Sequence, residues 1–452
     1  MVQAHTRAWR AMRMFLIGAG SLGSLLLLGA PPSAALAAGV PTQAPPANHT
    51  AALTAADAIR EALAGNRDLR AATFAIAQAR ARLEQAGLWP NPSLQLAGAD
   101  DVVFANEGDY DASIGFEQRF PVAGRLARGR DVARVDIAIA VAEVRDATRL
   151  LVAEVEISFS ELLVLQEQIA ARAQLIAVNR RLADVSAHRA ALAEVSALDV
   201  NTAQLELQRL ELERDLLTAQ AQARSTELSR LLGRDADATV TVAGELVPGP
   251  PRSLAELRET ALAWRPDLQQ LRLAADRAHA EQALAKAERW EDWTLGFRYA
   301  RTRQPVVGAP SQPSDQLLGL TVSIPLPLWN RNRGRIAETQ ALEAQARSRA
   351  AALELTILAD VESAHHRVED LSAVTERYRA RVTPLTSENV RLAQEGYQHG
   401  LVPVTQVVQV QRQQSELRTA YLDALAQYRR AAIDLETAAA TSPLLANPEE
   451  IR

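Results

Sequence analysis

The amino-acid sequence predicts a mainly α-helical protein with transmembrane β-strands, in which a barrel in a membrane is continued by a long α-helical barrel. Three observations predict this fold class. Short strand patterns have one apolar and one wet face, helical patterns are too long for a single globular core, and the whole arrangement occurs twice along the chain.

The strand pattern is clearest at residues 318–324, where large apolar residues alternate with small or polar ones. A period of two is typical of a strand that is apolar on one face and wet on the other. Pro325 ends this strand because proline cannot donate to a ladder, and residues 113–120 repeat the pattern before Pro121. The alternation predicts these lipid-facing residues: Phe116, Trp293, Phe297, Leu320 and Val322. These residues are predicted to line a wet lumen: Ser113, Arg119, Arg298 and Ser323.

Two very long helical patterns follow the strand pairs, at residues 124–189 and 334–395, the second interrupted at Pro384. As one helix, the second would span roughly 93 Å at about 1.5 Å per residue. No single core covers that length, so the helices must pack side by side. Four amphipathic strands cannot close a barrel, and open sheet edges are not tolerated in lipid. We therefore expect identical copies of the chain to share one barrel.

The chain contains one duplicated module of about two hundred residues. The segment at Ala62 recurs at Ala261, an offset of 199, and the segment at Ala193 recurs at Gly400, an offset of 207. The predicted division is a signal peptide at 1–37, an extended segment at 38–52, a first repeat at 53–232, a linker at 233–253, a second repeat at 254–441 and a tail at 442–452.

The N-terminus has the pattern of an export signal. Arg7, Arg10 and Arg13 precede an apolar run at 14–30, and small residues at 35–37 offer a cleavage site. Glycine and serine interrupt the run, which disfavours a transmembrane anchor. Elsewhere no stretch of eighteen apolar residues occurs, so we expect a periplasmic, secreted or outer-membrane barrel protein.

Composition excludes several classes of function. The 452 residues carry a formal net charge of -5, without the basic bias of a nucleic-acid-binding protein. The chain has no cysteine, which excludes disulfides, thiolate metal sites, a cysteine nucleophile and a lipid anchor on an N-terminal cysteine. The acidic residues between Asp100 and Asp111 have the wrong spacing for an EF-hand, so an exposed hairpin loop is favoured over a calcium loop.

A turn between two helices marks the end of the protein remote from the strands. Gly400 suits a left-handed residue just past a helix, and Pro403 suits the first position of the next helix. The first repeat has its equivalent turn at 188–199. Both turns are predicted to form a periplasmic rim, and valine is expected to distort the turn more at Gly400 than at Ala193, where a side chain already stands.

The ordered motifs resemble those of the TolC family of outer-membrane efflux proteins over residues 53–440. They include Pro90-Asn91-Pro92 before the first strand, Phe120-Pro121-Val122 and Ile324-Pro325-Leu326 at the strand-to-helix junctions, and Gly400-Leu401-Val402. The resemblance implies a homotrimer with a twelve-stranded barrel and a twelve-helix periplasmic tunnel. It also implies an outer-membrane exit duct for a periplasmic adaptor and an inner-membrane transporter of RND type. The junctions look like those of the heavy-metal (Czc-type) branch, which implies export of heavy-metal cations or small toxic compounds.

The resemblance also assigns roles at the turns. The residues that it implies for adaptor docking are Ala193, Glu194, Val195, Gly400, Leu401 and Val402. Those that it implies for a tunnel constriction are Asp199, Tyr397, Gln406 and Gln409. Family members with an aspartate ring constrict here, and the two glutamines depart from that pattern.

Two other functions share features of this pattern with an efflux channel. A type I secretion duct has the same fold, and a periplasmic adaptor shares the signal and the long hairpins but is expected to have one hairpin flanked by β-rich domains. An enzyme is disfavoured because no nucleophile motif or phosphate loop appears. His188, His399 and the pair His365-His366 show no metal-ligand grouping in the sequence, so no cofactor or metal site is expected.

Overall fold

The computed structural model describes residues 52–100, 109–235, 238–245, 252–303 and 313–441. The predicted signal peptide, the extended segment up to residue 51 and the tail at 442–452 lie outside the described residues, as do parts of both strand-connecting loops and of the linker. In order, the elements are α1 (Ala55–Gly65), α2 (Arg67–Ala86), β1 (Ser93–Asp100), β2 (Tyr110–Phe120), α3 (Arg125–Ala191), α4 (Ala197–Leu232), α5 (Leu254–Trp264), α6 (Pro266–Ala287), β3 (Trp293–Arg303), β4 (Asp315–Ser323), α7 (Arg333–Arg377), a π-helical turn (Tyr378–Val382), α8 (Thr383–Gln398) and α9 (Val404–Ala439).

The same order of elements occurs twice: two short helices, two strands, one very long helical run and one helix of 36 residues. The offset is 199 residues between α1 and α5, and 207 between α4 and α9. The offset therefore grows by eight residues between the first short helix and the last helix of the module. The extra residues of the second repeat lie in the second short helix, the strands, the long helical run or the connections between them.

The apolar residues between 53 and 86 have the spacing of one helix, but the structure divides this segment into α1 and α2. Asn66 ends α1 and caps α2, because its side-chain oxygen accepts from the backbone N–H of Leu69 at 2.8 Å. Its amide also donates to the carbonyl of Leu231 at 2.9 Å. Gly65 lies so close to the end of α4 that an added Cβ would meet the Leu232 carbonyl at 2.5 Å. The break thus fixes α1 against the end of α4.

The four strands form one antiparallel sheet in the order β1-β2-β3-β4. Register places Phe116 opposite Phe297, and Phe297 opposite Leu320, so the large apolar residues form rows across the sheet. β2 pairs with β3 although about 170 residues separate them, so the sheet joins the two repeats.

The second long helix is not continuous. Pro384 has no N–H, and its ring would clash with the carbonyl four residues earlier. The turn Tyr378–Val382 is widened to π-helical just before it, and the chain then continues as α8. Each of the two long helical runs therefore reaches a turn at the far end, the second despite its proline.

The long helices pack in a fixed order. Helix α3 lies between α4 and α9, and α9 in turn packs against α7 and α8. A cluster that includes Ile59, Phe159 and Leu228 packs around α1, and a second that includes Leu268, Ile357 and Leu435 packs around α5 and α6. Helices α4 and α7–α8 therefore flank the four-helix wall. In the part of the chain that the structure describes, no helix combines the length and apolarity needed to cross a bilayer.

Candidate functional site

The two turns at the far end have the same backbone geometry. In the first, the N–H of Ala193 donates to the Ala190 carbonyl at 3.0 Å, and that of Glu194 donates to the Arg189 carbonyl at 2.9 Å. In the second, Gly400 and Leu401 repeat both bonds at 3.1 and 2.7 Å, with the carbonyls of Tyr397 and Gly396. This pair of bonds is the Schellman motif that satisfies the last carbonyls of a helix.

The left-handed conformation predicted at Gly400 is present, with φ of 71°. Ala193 adopts it as well, with φ of 61°, although its Cβ makes that region unfavourable. We expected valine to distort the turn less at Ala193 than at Gly400, because a side chain already stands at Ala193. The left-handed φ of Ala193 contradicts this reasoning, since a branched side chain is strained in that conformation at either turn. The internal repeat was the signal that could have found it, since Ala193 stands where the second module has Gly400.

Asp199 serves the first turn itself. Its carboxylate accepts from the backbone N–H of Ser196 at 3.1 Å and from the Ser196 hydroxyl at 2.8 Å, while the Asp199 N–H donates to that hydroxyl. These bonds form a capping box at the start of α4. Pro403 takes the N-cap of α9 rather than its predicted first helical position, because its ψ of 159° is extended.

Tyr397 is buried where the two hairpins meet, with a side chain 8% exposed. It packs with Leu182 of α3 and Val407 of α9, and its hydroxyl lies 3.2 Å from the Ser186 hydroxyl. The guanidinium of Arg189 lies 5.2 Å from the centre of its ring, within cation–π range. Tyr397 therefore connects the second turn to the first hairpin within one chain.

Gln406 and Gln409 are exposed on α9, whereas Val404, Val407 and Val408 face the buried cluster. The docking residues predicted at the turns lie at the surface: Ala193, Glu194, Gly400 and Leu401 are exposed, and Val195 and Val402 are half-buried. The structure thus brings the docking set to one end of the molecule. The four residues predicted to form a constriction do not lie together: Gln406 and Gln409 are exposed on α9, whereas Tyr397 is buried between the hairpins.

A buried carboxylate just behind this end was missed from the sequence. Glu206 of α4 is 2% exposed and pairs with Arg209 at 2.7 Å and with Arg412 of α9 at 2.6 Å. Burial alone would raise the pKa of Glu206, but the hydrogen bonds and charges of both arginines outweigh it and hold the pKa below its ordinary value. No sequence motif marks this residue, since its position on the buried face becomes apparent only when α4 packs against α9.

At the opposite end, the five predicted lipid-facing residues lie on one face of the sheet. The register gives the rows Phe116–Phe297–Leu320 and Leu295–Val322, with Trp293 at the end of the same face. The other face is polar: Arg298 lies 3.6 Å from Asp111, and Gln95 donates to Glu117 at 2.8 Å.

Three exposed tryptophans, Trp89, Trp290 and Trp329, stand where strands meet helices, and Trp329 is 92% exposed. These tryptophans were not predicted from the sequence, although each lies between a helical pattern and a strand pattern.

Comparisons with known proteins agree with this geometry. The family model described as outer membrane efflux protein matches residues 58–234 and 257–441. The chain is 23% identical over 387 residues to the cobalt-zinc-cadmium resistance protein CzcC of Cupriavidus metallidurans, which covers 85% of this chain and 89% of that protein.

Solved structures show the same fold. A membrane protein from Pseudomonas aeruginosa has a TM-score of 0.67 at 21% identity, covering 84% of this chain and 91% of that one. CusC has a TM-score of 0.66 at 19% identity, covering 85% and 91%. The two-hairpin tip, the amphipathic sheet and the family match together identify an outer-membrane efflux channel component. The chain belongs to the outer membrane efflux protein family. It is a transport component of the outer membrane rather than an enzyme or a periplasmic adaptor.

Proposed function

We propose that the chain assembles as a homotrimer whose twelve strands close a barrel in the outer membrane and whose helices form a periplasmic tunnel. In this assembly it is the exit duct for heavy-metal cations delivered by an RND-type inner-membrane transporter and a periplasmic adaptor. The observation that carries the proposal is the open four-stranded sheet. Within the described residues, the outer edges of β1 and β4 have no partner, while one face of the sheet is apolar and exposed.

An apolar sheet with open edges is not tolerated in lipid, where unpaired backbone groups cost several kcal/mol each. Pairing β4 of one copy with β1 of the next removes every edge, and three copies supply twelve strands. In this arrangement the face that carries Phe116 and Val322 meets lipid and the face that carries Arg298 lines the lumen. The tryptophans at the sheet–helix junctions then lie at the membrane interface, where their amphipathic rings are favoured.

The flanking helices support the same ring. Helix α4 exposes Leu198, Leu205 and Leu212 at heptad spacing, and α8 exposes Leu385 and Leu392 at the same spacing. At about 1.5 Å per residue, the α4 leucines lie roughly 2, 12 and 22 Å from the tip, and the α8 leucines lie roughly 9 and 20 Å from it. The two ridges interdigitate in height, so α4 of one copy fits α8 of its neighbour.

The residues at the tip then divide into two roles. The exposed turns, with Glu194 and Leu401 at their outermost positions, dock the adaptor. Gln406 and Gln409 face the tunnel and constrict it with uncharged groups. Asp199 and Tyr397 do not line the tunnel; they act indirectly, by fixing the first and the second turn. The similarity to a cobalt-zinc-cadmium resistance protein supports cations as the substrate.

The test is a deletion strain with and without the chain, exposed separately to cobalt, zinc and cadmium salts and to small organic toxicants. We expect higher cell-associated metal and greater metal sensitivity in the deletion strain, both reversed by the chain. Chemical cross-linking of the same membranes should give a product of three chains. Sensitivity to organic toxicants alone would contradict the cation assignment, and loss of a secreted polypeptide without a change in metal content would instead identify a type I secretion duct.

A further inference from the structure

We propose that His365, His366 and Glu369 of α7 bind one divalent transition-metal ion of the zinc type. Nothing in the channel proposal requires an ion held by the chain itself, so this inference goes beyond it. The sequence showed only an adjacent histidine pair without a grouping. The structure adds Glu369 as a third donor, so that one ligand atom from each of the three side chains lies within 4.8 Å of the others.

The spacing of the donor atoms fits a small tetrahedral ion. The Nδ1 atoms of His365 and His366 each lie 3.5 Å from Oε2 of Glu369. Two ligands at about 2.1 Å from a tetrahedral zinc ion lie about 3.4 Å apart. The helix produces this arrangement because residues three and four positions apart lie on one face. Three protein ligands leave a fourth position for water, as in exchangeable zinc sites.

The tautomer of His365 favours a cation at this position. Its Nε2 lies 3.2 Å from the backbone carbonyl of Arg252, which can only accept, so Nε2 carries the proton. In the neutral ring Nδ1 then presents a lone pair toward the Glu369 carboxylate. This nitrogen is buried, and no group among the described residues forms a hydrogen bond with it. A histidine whose other nitrogen donates to a backbone carbonyl is oriented as metal-bound histidines usually are.

The site borders a cavity in which carboxylates outnumber guanidinium groups by three to two. His365 and Glu369 line a cavity of about 430 Å³ together with Glu376 and Glu436. The positive charges of Arg252 and Arg429, which also line it, partly offset the charges of the glutamates. The side chain of His365 is 12% exposed, whereas those of His366 and Glu369 are 63% and 54% exposed. An ion thus reaches the site from solvent through His366 and Glu369 and is anchored by the buried His365.

The donor set also defines the chemical class of the ion. Two imidazoles and one carboxylate suit Zn²⁺ and Co²⁺, while Mg²⁺ and Ca²⁺ prefer oxygen ligands alone. Magnesium at millimolar concentration should therefore fail to compete.

The experiment is a titration of the purified full-length chain in detergent with Zn²⁺ and with Co²⁺, followed by equilibrium dialysis and by the visible absorption of bound Co²⁺. We expect one ion per chain and a Co²⁺ spectrum of tetrahedral intensity. His366→Gln and Glu369→Gln should each weaken binding at least about tenfold, since even the loss of a supporting residue costs that much. Both side chains are exposed, so these variants should keep the fold, which thermal unfolding checks.

His279→Gln is the matched control. His279 lies 3.6 Å from Glu343 on a neighbouring helix but has no third donor within the described part of the chain, so its loss should leave the affinity unchanged. Equal weakening by His279→Gln, or full-affinity binding by the Glu369→Gln variant, would overturn the site. A chain that binds no Zn²⁺ yet restores metal efflux would overturn the site and leave the channel function intact, whereas a chain that binds Zn²⁺ without restoring efflux would overturn the channel function alone.

Discussion

At the scale of single residues, Ala193 and Gly400 both end a long helical run in a left-handed conformation, but the conformational free energy that this costs differs between them. Both stand just past a helix end with positive φ, and both turns form the same two backbone hydrogen bonds. The left-handed region costs an L-residue about 1–2 kcal/mol, and glycine escapes that cost. The first turn is therefore strained by a side chain that makes no contribution to its hydrogen bonds.

The pair predicts opposite effects of small substitutions. Ala193→Gly should stabilise the first turn by up to about 1 kcal/mol, while Gly400→Ala should destabilise the second by about 1 kcal/mol. Hydrogen exchange of the amides of Glu194 and Leu401 measures each turn separately. A loss of protection at Glu194 in the Ala193→Gly chain would show that the left-handed alanine is not strained.

Bulk at the same two positions tests the docking role. Gly400→Val should leave trimer abundance unchanged and lower efflux, because no atom lies near an added Cβ there and the strain is confined to the turn. Ala193→Val should also lower efflux, which corrects the expectation drawn from the sequence. Membrane levels and metal sensitivity are measured on the same cells, and normal efflux in both variants would exclude the turns as the docking surface.

Glu156 gives a prediction about pH. Burial raises the pKa of this α3 carboxyl, and the charge of Glu436 raises it further, with Arg429 opposing. Because the folded-state pKa of Glu156 lies above the unfolded value, the contribution of this carboxyl to stability is greatest in acid and falls as the pH rises through the unfolded value, about 4.3, toward the folded one. Glu156→Gln should therefore raise the unfolding temperature at pH 7 and leave it unchanged near pH 4.

The exposed Glu154 on the same helix provides the control, and Glu154→Gln should shift the unfolding temperature at neither pH. An unfolding temperature of Glu156→Gln equal to that of the parent chain at pH 7 would show that the burial of Glu156 has no energetic cost.

At the scale of elements, the strand alternation separates neighbouring residues onto two environments. Val322→Arg should block membrane assembly, because a lipid-facing arginine costs about 2–4 kcal/mol near mid-bilayer. Thr321→Arg, one residue earlier and also exposed, lies on the opposite, polar face of the sheet, which lines the lumen in the proposed barrel, and should assemble. Resistance of the barrel to unfolding in cold detergent gels measures assembly. Equal yields of the two variants would contradict the assigned faces.

The sequence patterns predicted the strands and the long helices because their periods depend only on nearby residues. They missed the break at Asn66, which depends on the approach of Leu231 from a distant helix. They also missed Glu206 and Glu369 as partners, since ion pairs and donor clusters form only after helices pack or side chains select rotamers. The left-handed backbone of Ala193 was missed for another reason. Alanine rarely adopts this conformation, and only the correspondence of Ala193 to Gly400 in the second repeat indicates it.

At the scale of the whole molecule, the order of α4, α3, α9 and α7–α8 leaves two leucine ridges at the flanks. Leu205→Glu combined with Leu212→Glu should reduce the trimer strongly, because each leucine buried between copies contributes about 1.5–3 kcal/mol. Gln204→Glu, also exposed on α4 but about 100° around the helix from Leu205, should leave the trimer intact. Sedimentation in detergent measures the mass, and a stable trimer in the doubly substituted chain would place the contact elsewhere.

The duplication has a consequence for symmetry. Each chain contributes two turns with one backbone geometry but different chemistry, since Glu194 in the first corresponds to Leu401 in the second. A trimer would present six docking points that are only quasi-equivalent: three acidic and three apolar, in alternation around the rim. A monovalent fragment of a docking partner should therefore bind in two steps of three, and exchanging Glu194 and Leu401 should exchange which set of three fills first.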